Sequence, residues 1–463
     1  MIGRAATTPL AYARVVVIAA LGLGTTLGCG GTEAGSRPAQ HPHDIVERPK
    51  ASVAEALPFI HDDWPRALAE AKRTKRPIFV DAWAPWCHSC QSMRAFVLTD
   101  KALAPLANDF VWLTIDTEKD SNAAFAGRFS NHVWPTLWVI DADRESPVLR
   151  WEGTATAPEL LTLLATVKEG AREGAAEATM AFLRANQAAS RGEVAEAERA
   201  YRELVTRRDF PERARAVEAL VGLLSSKKDY AGCAELAVAE APRLAPGTSR
   251  ATLLATGLSC ARDGKRASDL RTLADAAERA ASDPDPRTID DDRSALFEEL
   301  VETKKEQGDG AGAKAMARAW ASFLEQAAAR APTKEARAVF DPHRLSAYLA
   351  AGEPERAIPM LTDSERVFPE DYNPPARLAR AYLTMKRLDD AHAAIERAAA
   401  RVYGPRSLRV FGLAAEIAKA RGDVPGERAA LEQALSHTEH AVLNENQKKL
   451  RADLAGRLRD LPK

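Results

Sequence analysis

The stretch Phe79-Val80-Asp81-Ala82-Trp83-Ala84-Pro85-Trp86-Cys87-His88-Ser89-Cys90 decides how this chain is read. Residues 77–83 are a short apolar run with one acid, the pattern of a buried strand. From Cys87 a helix runs toward Val97. A Cys-x-x-Cys pair between a buried strand and a helix start has chemistry built in. The helix start leaves unpaired N–H groups and positive dipole charge. A thiolate there is stabilised, so the thiol pKa falls and the sulfur becomes a nucleophile at neutral pH. The second cysteine follows about one helical turn later, close enough to close a disulfide or to resolve a mixed one.

Outward from this stretch, residues 51–170 read as mixed α/β. A helix is expected over 64–72, a second strand over 110–115, a helix over 123–129, a hairpin of strands 135–140 and 148–151, and a closing helix over 158–167. Strands and helices in that order make an α/β sandwich. From 175 to 463 every pattern is helical. Gly192, Lys228 and Gly264 recur at a helical-pair period in Ala-rich turns, and Gly352, Lys386 and Gly422 repeat the arrangement further on. Helix pairs that cannot bury their apolar stripe alone stack into a solenoid with a concave face. The pattern thins between 264 and 340.

The charge balance excludes one class of function. Lys plus Arg is 64 against 65 Asp plus Glu, a net charge of −1. A nucleic-acid binder needs a basic face, so no nucleic-acid partner is expected. Residues 1–28 read as an export signal, with Arg4 and Arg14 before an apolar run that starts at Val15. Cys29 ends it, and residues 29–50 are a polar tether. Export into a disulfide-permissive compartment leaves four further cysteines: Cys87, Cys90, Cys233 and Cys260. For the last two, buried free thiols are the preferred reading and a disulfide the alternative.

The segment around the dithiol resembles the thioredoxin family. Asp81 matches the buried acid behind the second cysteine. Trp83 and Trp86 match the aromatic pair at the active loop, and Val133-Trp134-Pro135-Thr136 matches the loop whose cis-Pro packs beside the dithiol. Gly153 falls where the family has glycine after its last strand. Trp112 stands where thioredoxins often carry a Lys beside the acid, so Asp81 is expected to hold its proton more readily. The helical region resembles tetratricopeptide repeats. Leu27-Gly28-Cys29 is similar to the lipobox of bacterial lipoproteins, which implies lipidation at Cys29; Thr26 and Leu27 stand where that pattern has Leu and a small residue.

The resemblance implies a multidomain protein: an α/β thioredoxin-like sandwich followed by an all-α tetratricopeptide-like solenoid. It implies a thiol–disulfide oxidoreductase of protein-disulfide reductase or isomerase type, facing the periplasm in a bacterial cell envelope and held to a membrane by lipid. Cys87 attacks, Cys90 resolves, Asp81 moves the proton for Cys90, and Pro135 shapes a substrate groove with Trp86, His88, Ser89 and Trp134. His88 either tunes Cys87 or is a solvated loop residue. The expected partners are exported proteins with disulfides, a redox partner, and protein or peptide ligands of the repeats, which are expected to fold and bind on their own. No cofactor or metal is expected, because zinc wants about four ligands and no second Cys-x-x-Cys or His pair stands nearby. The rival reading is a repeat-based scaffold whose dithiol is sensing or vestigial.

Overall fold

The computed structural model describes residues 57–129, 131, 133–174 and 176–462; the expected signal segment, Cys29 and the tether lie outside them. Among the described residues no helix is long and apolar enough to cross a membrane.

The first domain opens with β1 (Ile60–His61) and α1 (Trp64–Thr74), where the Asp63 side chain accepts from the Arg66 N–H and Pro65 fits the first turn. Next come β2 (Ile78–Trp83), α2 (His88–Ser92), a π-turn over Met93–Val97 and a 3₁₀ turn over Lys101–Leu106. The rest is β3 (Val111–Asp116), α3 (Ala123–Arg128), β4 (Thr136–Asp141), β5 (Ser146–Glu152) and α4 (Ala157–Gly170), the last started by a Thr156/Glu159 capping box. The strands form one sheet in the order β1-β3-β2-β4-β5, with β2 parallel to β3 and antiparallel to β4.

The two-residue period of β2 divides the core. Ile78, Val80 and Ala82 pack with Phe125, Phe129 and Trp138 on the side of α1 and α3. Phe79 points the other way and packs with Met93, Val97, Trp112 and the α4 residues Leu160 and Leu164. Asp81 shares that second side, under the active-site helix, and is fully buried.

The helical part is seven pairs and a closing helix: α5 (Glu177–Ser190) with α6 (Val194–Thr206), α7 (Arg213–Ser226) with α8 (Tyr230–Glu240), α9 (Thr248–Asp263) with α10 (Ala267–Ser282), and α11 (Asp290–Glu306) with α12 (Gly310–Arg330). After the short α13 (Lys334–Ala338) come α14 (Asp341–Ala351) with α15 (Ala357–Val367), α16 (Asn373–Thr384) with α17 (Leu388–Ala399), α18 (Ser407–Arg421) with α19 (Val424–Ser436), and α20 (Glu445–Asp460). Each pair turns on one left-handed residue: Gly192, Lys228, Lys265, Gly308, Gly352, Lys386 and Gly422. Gly264 is therefore not the left-handed residue of its turn. It is right-handed, and a Cβ there would lie 2.9 Å from the Cys260 carbonyl and 3.0 Å from Tyr230 Cβ, so glycine serves a close contact. The thin stretch of the pattern holds a full pair whose second helix has 21 residues, which stretches the period there.

Cys233 and Cys260 are bonded, with Cα atoms 6.0 Å apart, so the preferred reading of two free thiols does not hold. They sit on α8 and α9, which pack side by side. The two parts of the chain share one continuous core from Leu57 to Leu454.

Candidate active site

Cys87 caps α2: its backbone is extended and its Sγ accepts from the Cys90 N–H at 3.0 Å. The Cys87–Cys90 disulfide thus lies on the free N–H groups of a helix start. Cys87 is 4% exposed and Cys90 0%, in a cluster with Trp83, Trp86 and Trp134. Trp86 and Trp134 meet edge to face at 5.2 Å, and the peptide bond from Trp134 to Pro135 is cis. Of the expected groove residues, Trp86 and Trp134 pack with the two cysteines, and Pro135 follows Trp134 in the chain.

Asp81 has a neighbour on β3 other than the expected Trp112. The residue across from it on β3 is Thr114, whose hydroxyl donates to Asp81 at 3.4 Å; Trp112 faces Phe79 two pairs away. Burial pushes the Asp81 carboxyl up to about 6, against the charge of Arg94 and the Thr114 hydroxyl, which pull it down. Arg94 lies over the Trp83 ring at 3.9 Å.

The helical array closes over this loop. Trp86 donates to Glu118 Oε1 at 2.8 Å, and Glu118 Oε2 accepts from the Arg406 N–H at 2.6 Å. The Arg406 guanidinium stacks on Trp86 at 5.0 Å. Tyr403 donates to Asp116 at 2.7 Å and Asn373 donates to the Pro85 carbonyl at 3.2 Å. Phe340 packs on Phe96. Burial raises the Glu118 carboxyl to about 7, opposed by the Trp86 hydrogen bond.

His88 is not a solvated loop residue. Its Nδ1 lies 2.9 Å from Asp291 Oδ1, and its Nε2 lies 2.9 Å from His343 Nε2. His343 in turn meets Ser294, which accepts from Trp320 at 2.7 Å. Ser89 also reaches His88 Nδ1, at 3.2 Å. Burial disfavours the charge on His88, but the Asp291 carboxylate outweighs it and the net shift is upward. Burial and the charge of His88 lower His343 to about 3. Asp291 is buried, which would raise it, yet His88 holds it well below the usual carboxylate range. Among the described residues, His88, Asp291 and His343 are the grouping whose nitrogen and oxygen atoms, all within 4.8 Å, are of metal-binding type. Sequence reasoning missed Glu118, Asp291, His343, Asn373, Tyr403 and Arg406. The acidic run Asp290-Asp291-Asp292 was visible, but acids in a first helical turn are ordinary.

Fold and site together define a thioredoxin-like domain with a Cys-x-x-Cys pair, followed by tetratricopeptide repeats. Residues 60–142 match the thioredoxin-like family and residues 348–417 the tetratricopeptide repeat family. The chain is similar to the thiol:disulfide interchange protein DsbD of Pseudoalteromonas atlantica, 28% identical over 101 residues, which is 21% of this chain and 16% of that relative. The chain therefore spans a small fraction of that relative's length. Among solved structures it resembles a tetratricopeptide repeat protein from Parabacteroides merdae (10% identity, TM-score 0.39, covering 60% of this chain and 98% of that one). It also resembles the C-terminal part of a repeat protein from Cytophaga hutchinsonii (12% identity, TM-score 0.33, 58% and 98%).

Proposed function

We propose that this protein is an exported, membrane-tethered thiol–disulfide oxidoreductase acting on protein disulfides. The observation that carries the reading is the Cys87–Cys90 pair at the start of α2, packed with Trp86 and Trp134, on a domain whose neighbouring strand buries Asp81. The reduced Cys87 thiolate attacks a substrate disulfide; one substrate sulfur leaves as a thiolate and a mixed disulfide forms. Cys90 then attacks Cys87 Sγ, the second substrate sulfur leaves, and Asp81 takes the Cys90 proton. Export rests on the N-terminal sequence, and the Cys233–Cys260 bond is in keeping with an oxidising compartment. Anchoring rests on Cys29 alone.

Cys90→Ser should trap substrates as covalent complexes that dithiothreitol dissolves, and Cys87→Ser almost none. Equal trapping by the two, with the domain folded, would sink the assignment. A specific observation favours a second reading, a repeat-based protein whose dithiol senses redox state: Cys87 is only 4% exposed under its own helical array. The repeats are general protein-binding modules, and in this chain their first helices are already occupied in part by the thioredoxin-like domain.

A further inference from the structure

The helical array brings three guanidiniums to the dithiol loop that no acid pairs. Arg377 stands on α16, Arg406 on the turn before α18, and Arg409 in the first turn of α18. Among the described residues none of the three guanidiniums has an ion pair or a hydrogen bond. Arg406 is bonded through its backbone N–H, and its guanidinium only stacks on the Trp86 ring at 5.0 Å. Each guanidinium carries five N–H donors. The nearby acids are committed to other donors. Glu118 accepts from Trp86 and from the Arg406 backbone, Asp371 from the Asn373 backbone and side chain, and Asp341 from Ser364. Burial lowers the Arg406 guanidinium to about 10; the charges of Arg409 and Arg377 lower it too, and Tyr372 and Glu118 oppose them. A fourth donor stands with the set. Tyr372 is 1% exposed and its hydroxyl has no partner, which costs free energy in a buried place. Both Arg377 and Arg406 lie within its electrostatic reach. Arg409 is exposed, so a solute can reach the group from that side.

We propose that Arg377, Arg406, Arg409 and the Tyr372 hydroxyl form an anion site for a carboxylate of the substrate: an acidic side chain within a few residues of the cysteine that meets the dithiol. The inference deepens the oxidoreductase reading and rests on it. The site lies one ring from the sulfurs. The Arg406 guanidinium covers Trp86, and Trp86 precedes Cys87 and packs with both cysteines. An extended peptide advances about 3.3–3.6 Å per residue, so an acid two or three residues from a cysteine at Cys87 spans one tryptophan ring. The chemistry suits a carboxylate. Guanidinium forks bind its two oxygens in parallel, and a phenol adds a third donor. The protein already sets one carboxylate, that of Glu118, against the Arg406 backbone. The whole chain has a net charge of −1 and so exerts no general pull on acidic proteins. A preference for acidic substrates therefore has to come from a local group such as this one.

The test uses the full chain in its reduced form, so that the dithiol itself supplies both electrons. Two disulfide peptides are compared that differ only in Asp against Asn two residues from the attacked cysteine. Under single turnover the Asp peptide should react about tenfold faster at low salt, as for one hydrogen-bonded charge, and the ratio should shrink with added salt. Arg409→Gln and Arg377→Gln should each bring the ratio toward one, and Arg409→Lys, which keeps the charge, should retain most of it. Arg421→Gln, at the other end of α18 and paired with Asp389, should keep the parent ratio. A parent ratio near one overturns the proposal. So does a full ratio in folded Arg409→Gln, which decides the matter if Arg377→Gln does not fold, or an equal fall in Arg421→Gln, which would mean long-range steering. Peptides with serine in place of cysteine cannot react, and their binding is read by tryptophan fluorescence. Inorganic phosphate that binds as tightly as the Asp peptide overturns the assignment to a substrate carboxylate. Tighter binding of the Asp peptide with no attack on either disulfide would remove the oxidoreductase reading and leave the anion site standing; attack on both at equal rates would do the reverse.

Discussion

At Gly404 the backbone of the helical array runs close against the thioredoxin-like domain. Its φ is +62°, and a Cβ built on it would lie 2.0 Å from the Glu118 carbonyl oxygen and 2.8 Å from the carbonyl carbon. Gly404→Ala therefore acts twice. Left-handed backbone costs an L-residue about 1–2 kcal/mol. The clash must also be relieved by more than 1 Å of separation, roughly what is needed to reach ordinary contact. The neighbouring Arg406 N–H to Glu118 hydrogen bond is 2.6 Å, and it breaks over such a shift. A hydrogen bond to a carboxylate contributes about 1.5–3 kcal/mol. The sum, roughly 2.5–5 kcal/mol against the closed arrangement, corresponds to about two to four powers of ten in local opening. Trp86 is tied to Glu118 and covered by Arg406, so this opening uncovers the face of the dithiol loop.

The assay is reduction of the Cys87–Cys90 bond by a bulky phosphine, together with hydrogen exchange of the backbone around Glu118. When opening is fast relative to reaction, both rates scale with the open population. Gly422→Ala is the control: its φ is +73° but nothing lies within 4 Å of the added Cβ. It carries the backbone strain without the clash. The reasoning fails if folded Gly404→Ala is reduced at the parent rate, or if Gly422→Ala accelerates reduction equally.

Other perturbations test other parts of the structure. Burial raises the Asp292 carboxyl to about 8, opposed by its Thr154 hydrogen bond of 2.7 Å. The folded state thus keeps a proton that the unfolded chain loses near pH 4, and this contribution to stability falls as pH rises from about 4 to about 8. Asp292→Asn should make the loss of urea resistance across that window shallower, by an amount on the order of a few kcal/mol, and an unchanged slope would refute it. Cys260→Ser should lower unfolding free energy by about 3–4 kcal/mol through the lost loop constraint, read by urea titration, with peptide mapping of the parent showing the Cys233–Cys260 bond. Asp81→Asn should leave Cys87 alkylation intact, slow mixed-disulfide resolution about a hundredfold, and remove the rise in that step near pH 6 where Asp81 loses its proton.

The elements of the first domain were legible because each carries its own signal. The strand around Asp81 has a two-residue period, the Cys-x-x-Cys marks a helix start, and the turn between β4 and β5 is polar. β1 went unread because two residues, Ile60 and His61, show no period; its place is fixed only by pairing with Leu113 and Thr114. Thr114 illustrates a subtler gap. Which β3 residue faces Asp81 depends on strand register, and register is set by the packed face as a whole. Position 112 is two pairs off, on the same face of the sheet. In the repeats, turn positions were readable where glycine or lysine closes a short pair. They were lost after Lys265, where the connection 283–289 and the 17-residue α11 stretch the interval, so a fixed period no longer finds Gly308. The contacts that matter most for His88 had no local signal at all. Asp291 lies 203 residues away and His343 lies 255 away.

Those distant contacts say what kind of joint connects the two parts. Near β5 and α4 the joint is ordinary core, with Leu160, Leu164, Trp151 and Phe182 in one cluster. Around the dithiol it is made of polar and ionisable groups: Asp116, Glu118 and His88 of the first domain against Asp291, His343, Asn373, Tyr403 and Arg406 of the helical array. Burying such groups costs free energy unless each finds its partner, and most of the partners sit on the opposite part of the chain. Opening the joint therefore does not simply expose apolar surface. It returns His88 and Glu118 to water, where each titrates near its ordinary value. The same movement that would admit a substrate to Cys87 would also separate His88 from Asp291. Access to the dithiol loop and the hydrogen-bond partners of His88 are thus coupled through one set of residues, and a bound substrate has to replace those partners.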